Sequence, residues 1–172
     1  SIACENVRNA IVEKINTGAL ILNYIGHASL NRWSHEFAFA PAQFPDLTNI
    51  GKLPVILSMT CLDGYWSGPI TSPGTSMIEE LVRKEASGAI GAFSPTGLGV
   101  STGHDLLHKG FYDALMNDGI RELGSAAQNG KLWLYQTGMN QDLLHTYTLF
   151  GDPALQIRNP IQNKIFLPLT NK

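Results

Sequence analysis

The chain has 172 residues, 44% of them apolar and only 15% charged, with a formal net charge of −2. That balance suits one packed domain and excludes disorder, while the scattered Lys and Arg form no basic stripe to grip nucleic acid or anionic lipid. No apolar run reaches the roughly 18 residues a spanning helix needs, and two cysteines, Cys4 and Cys61, are too few for a disulfide framework.

Ser1-Ile2-Ala3-Cys4 lacks the basic-then-apolar layout of a signal peptide and reads as the start of a helix in a chain cut from something longer. Val7, Ile11, Val12 and Ile15 recur at helical spacing and predict a helix over Glu5–Asn16, stopped by Gly18. Ala19–Ile25 is a short apolar run typical of a buried strand, and it ends in Gly26-His27. A turn-rich stretch with Trp33, Pro41 and Pro45 follows. A second buried strand, Pro54–Met59, runs into Thr60-Cys61-Leu62-Asp63-Gly64.

The next loop holds Ser67-Gly68-Pro69 and Ser72-Pro73-Gly74, after which Thr75 is placed to cap a helix over Ser76–Ser87. Glu79 and Glu80 early in that helix, and Arg83 and Lys84 late, complement its dipole. Gly88 opens a third strand, Ala89–Phe93. Gly103–Met116 and Glu122–Gln136 read as helices, Asp142–Leu149 as a shorter one, and Phe150–Ile157 as a turn into a last short strand. Strand, crossover, strand, helix, strand predicts an α/β domain with a mostly parallel sheet and helices on both faces. It is expected to fill residues 1–158, with 159–172 as a tail or linker.

Two of the apolar strands each end in a residue capable of nucleophilic chemistry, His27 after the first and Cys61 after the second. In an open parallel sheet, ligands sit beyond the carboxyl ends of the strands, and neighbouring strands lie about 4.8 Å apart. If the two strands are neighbours, both side chains reach one crevice. A cysteine there needs a base, because the thiolate is the reactive form, and an imidazole on the next strand supplies one.

These residues also carry a resemblance. Asn23-Tyr24-Ile25-Gly26-His27-Ala28-Ser29 with Trp33, the stretch Leu53–Gly64 around Cys61, Ser76-Met77-Ile78-Glu79-Glu80, Gly88-Ala89-Ile90-Gly91 and Gly151-Asp152-Pro153-Ala154-Leu155 are similar to the gingipain-type, clan CD cysteine peptidases, in order and spacing from about Gly18 to Ile157. The resemblance is to the second half of the catalytic domain. It implies a three-layer caspase-like fold and a cysteine endopeptidase with a His27–Cys61 dyad acting through an acyl-enzyme. It also implies an oxyanion held by the backbone N–H groups of Cys61 and Ala28, where the family usually has glycine at position 28.

By the same resemblance, Ser94, Pro95 and Thr96, in the loop to Gly97, wall the primary specificity pocket, and Trp66 lies nearby. The carboxylate that orients the histidine, and the acidic floor of an Arg/Lys pocket, belong to the preceding half of the family's catalytic domain. The N-terminal strands of the sheet are therefore expected from preceding residues of the precursor or from a processed second chain, leaving an open edge here. The substrate implied is a peptide or protein, with no nucleic acid and no cofactor, and the location secreted or cell-surface.

Alternative readings stand beside this one. A catalytically silent structural domain of a larger surface protein would also keep these residues, and a sortase-like transpeptidase would use the same dyad with an amine in place of water. His104 and His108 lie four apart on one helix face and with His145 resemble part of a metal site, but no carboxylate completes a known spacing, so they read as solvated helix histidines and no metal is expected. Gly97-Leu98-Gly99 lacks the third glycine of a dinucleotide loop.

Overall fold

The structure, a computed structural model, describes residues 2–67 and 75–158. The expected tail at 159–172 and the Gly68-Pro69 and Ser72-Pro73-Gly74 turns lie outside those residues. In chain order the elements are α1 (Ile2–Thr17), β1 (Ile21–Ile25), β2 (Ala28–Ser29), β3 (Arg32–Trp33), a 3-10 turn over Pro41–Asp46, β4 (Val55–Met59) and α2 (Met77–Arg83). They continue with β5 (Gly91–Pro95), α3 (Ser101–Met116), α4 (Leu123–Thr137), α5 (Leu143–Thr146) and β6 (Tyr147–Phe150).

The main sheet has the order β1-β4-β5-β6, with β1, β4 and β5 parallel and β6 antiparallel to β5. Successive side chains of a strand point to opposite faces. Accordingly Val55, Leu57, Met59 and Phe93 join a core with Leu107, Phe111, Leu123 and Leu134 of α3 and α4. Ile56 and Ala92 join a second core with Ile15 of α1, Trp33, Phe39 and Phe44, and Met77, Ile78 and Leu81 of α2. The sheet is thus the middle of three layers, as expected, and β1 lies at its edge.

Several expected boundaries move. On α1, Ile15 is buried but Val7 is exposed, because the core contacts gather at the helix's C-terminal end. Ser76 rather than Thr75 caps α2, its Oγ accepting from the Glu79 N–H, and the helix ends at Arg83 instead of running to Ser87. The third strand begins two residues later than expected and takes in Ser94 and Pro95. The expected helix over Asp142–Leu149 stops at Thr146, where aromatic and β-branched Tyr147-Thr148-Leu149-Phe150 pair with β5. The expected last strand near Ile157 reduces to a single bridge between Glu122 and Gln156.

Candidate active site

β1 and β4 pair in register through Ile25 and Met59, and the Gly26 N–H continues the ladder by donating to the Met59 carbonyl at 3.3 Å. His27 and Cys61, each two residues beyond that last pair, therefore both leave the sheet at its carboxyl edge. Both line one cavity of about 250 Å³, with Ile25 and Met59 as apolar walls and Gly99, His104 and His108 opposite. His27 is exposed, whereas Cys61 is a half-buried thiol whose Sγ lies 3.7 Å from the Gly99 carbonyl.

The expected substrate-binding residues Ser94, Pro95, Thr96 and Trp66 are not among the residues lining this cavity. Ser94 and Pro95 are buried within β5, and Ser94 gives its hydroxyl to Asp63 at 2.7 Å, so they are not in the loop expected to form a pocket wall. Thr96 is tied to the Thr146 carbonyl by its N–H and its hydroxyl. Gly99 and Ser101, a few residues on, occupy the lining instead. Trp66 is exposed, and Ala28 sits half-buried in β2.

His104 departs from its expected solvated state. It is 7% exposed because it shares the face of α3 that buries Leu107 and Phe111 against the sheet. Its Nε2 is buried with no hydrogen-bond partner and sits where a Cβ on Gly99 would be. Burial holds its pKa below the usual histidine range, so the ring is neutral at pH 7. His108 is also lowered, chiefly by burial, with the Asp105 carboxylate pulling the other way, and it bonds Asn23 Oδ1 at 3.1 Å. His145 lies exposed on α5, and among the described residues no group of three or more metal-binding side chains comes together.

A residue that sequence reading did not single out is central. Asp63, two positions after Cys61, is fully buried. Its Oδ2 accepts from Trp33 Nε1–H at 2.8 Å and from the Ser58 hydroxyl, and its Oδ1 accepts from Ser94 Oγ. Desolvation pushes its carboxyl up to about 6, against the opposing pull of the hydrogen bonds from Ser58, Ser94 and Trp33. The only sequence signal was an acidic residue closely following an apolar strand.

The folded protein holds a proton on Asp63 at pH values where the unfolded chain has released it, so this group's contribution is full below about pH 4 and is lost as pH rises through about 6. In urea titrations, the stability difference between the native chain and Asp63→Asn should shrink by about 2 kcal/mol from pH 4 to pH 7. A difference that stays constant over that range would mean that Asp63 does not titrate there.

The layered α/β domain belongs to a cysteine peptidase family: peptidase family C25, whose family model matches residues 1–158. Gingipain R1 and gingipain R2 of Porphyromonas gingivalis are each 23% identical to it over 161 residues, 90% of this chain. The chain spans only 16% and 22% of those relatives, respectively. The crystal structure of the Arg-specific cysteine proteinase gingipain R matches with a TM-score of 0.79 at 24% identity, over 88% of this chain and 36% of that one. A complex of pro- and mature domains from P. gingivalis gives 0.78 at 24% identity, over 88% and 37%. At such identity the structural likeness establishes the caspase-like fold.

Proposed function

We propose that this chain carries the Cys/His part of a cysteine endopeptidase site, with Cys61 as nucleophile and His27 as general base. The carrying observation is the parallel pairing of β1 with β4, which delivers both residues to one cavity. In this reading His27 takes the thiol proton and Sγ attacks the scissile carbonyl, with the carbonyl π pair moving onto oxygen. The N–H groups of Cys61 and Ala28 receive that oxyanion. Collapse expels the amine, which takes the proton from His27. Water then adds to the thioester with His27 as base, releasing the acid and restoring the thiol.

Among the described residues one edge of β1 is unpaired, and strands of a preceding segment would dock there, consistent with a solved relative being a complex of pro- and mature domains. A peptide or protein is the substrate, and the setting is secreted or cell-surface, as the resemblance implies. Among the described residues no helix is long and apolar enough to cross a membrane.

Iodoacetamide labelling of the full chain at pH 7, read peptide by peptide, should modify Cys61 at least about tenfold faster than Cys4, since a base-activated thiol outpaces an ordinary one. Incubation with a peptide library and an added amine should yield hydrolysed products. Amide-ligated products would indicate transfer instead, and equal slow labelling without cleavage would indicate a silent domain.

A further inference from the structure

The carbonyl of His27 is held from two sides. The Ser34 N–H donates to it at 2.8 Å, and so does the Tyr24 hydroxyl, at 2.7 Å. That carbonyl and the N–H of Ala28 belong to one peptide unit, planar and trans, so fixing one end fixes the direction of the other. The bond from Ser34 to His27 also makes Ala28 and Trp33, partners across β2 and β3, a non-hydrogen-bonded pair. In such a pair the N–H points away from the partner strand, so Ala28 N–H is turned outward from β3.

Tyr24 is itself braced. Its ring stacks on Trp33 with centroids 4.4 Å apart and planes 7° from parallel. Trp33 is pinned in turn by its Nε1–H bond to buried Asp63 on the cysteine loop. The phenol crosses above Gly26, where any Cβ would come within 2.8 Å of the hydroxyl oxygen. A contiguous path thus runs from the loop after Cys61 to the peptide plane after His27.

We propose that Tyr24, braced by Trp33 and Asp63, is a positioning residue that aims the Ala28 N–H at the oxyanion. This rests on the endopeptidase reading above. Tyr24 touches no reacting atom and takes no proton; it sets the angle of a donor that matters only once the carbonyl oxygen bears charge.

The test is Tyr24→Phe in the full chain, which keeps the stacked ring and removes one hydroxyl. On the best substrate from a peptide library, kcat should fall about tenfold with KM unchanged, less than the 10²-fold or more of a lost oxyanion donor because Ser34 still holds the carbonyl. The matching peptide aldehyde, which Sγ attacks to form a hemithioacetal oxygen at the same place, should bind about tenfold more weakly. Iodoacetamide alkylation of Cys61 builds no oxyanion, so its rate should not change. An unchanged kcat, or alkylation that falls in step with kcat, would overturn the assignment. A wild-type chain with neither turnover nor fast alkylation of Cys61 would instead remove the endopeptidase reading, and this inference with it.

Discussion

Asp63→Ala should lower the unfolding free energy by about 3 kcal/mol at pH 7, the net of two opposed effects. The substitution orphans three buried donors, Trp33 Nε1–H and the hydroxyls of Ser58 and Ser94. Each loses a partner at about 1–3 kcal/mol, although the serine hydroxyls can turn and recover part of that. Against this, the variant no longer buries a charge. A carboxyl raised from 3.8 to about 6 is destabilised in its ionised form by about 3 kcal/mol, which the alanine variant regains at pH 7. The loss should therefore be larger at pH 4.5 than at pH 7. In a domain of this size it corresponds to a fall in Tm of roughly 6–12 °C at neutral pH. Calorimetry at the two pH values checks both the size and the ordering; a variant as stable as the native chain at pH 4.5 would show that the carboxyl holds nothing together.

The strand leading to Cys61 was legible because the five apolar-rich residues of Val55–Met59 are all buried, whereas the strand leading to His27, expected to be buried, is a partly exposed edge strand with Ile25 62% exposed. The third strand was misplaced for a physical reason. Ala89-Ile90 looks like strand, yet Ile90 is 41% exposed, while Ser94 and Pro95 look like loop and are buried. Ser94 can be buried because its hydroxyl has Asp63, 31 residues away, and no local pattern reveals such a partner. β6 escaped for the same reason, since its pairing with β5 is a tertiary contact. The burial of His104, by contrast, was written in the helix: it lies three and seven residues before Leu107 and Phe111, the spacing of one buried face. Taking His104 together with His108 as solvated helix histidines hid that face.

Cys61→Ala should lower peptide-bond hydrolysis by at least about 10⁴-fold, because among the described residues lining the cavity no other group offers a comparable nucleophile to form the acyl-enzyme. His27→Ala should cost about 10³-fold at pH 7, but the two losses should respond differently to pH. Alkylation needs only the thiolate, so raising the pH to 9.5 should restore Cys61 alkylation in the His27 variant to nearly the native rate. Hydrolysis should recover much less. The departing amine still needs a proton at the moment the C–N bond breaks, and the His27 imidazole that would deliver it is gone. That split between alkylation and turnover separates a general base–acid from a residue that merely packs beside the thiol. Should the His27 variant lose alkylation at pH 9.5 as well, its role would be to shape the cavity; should Cys61→Ala keep its turnover, the nucleophile lies outside this pair of strands.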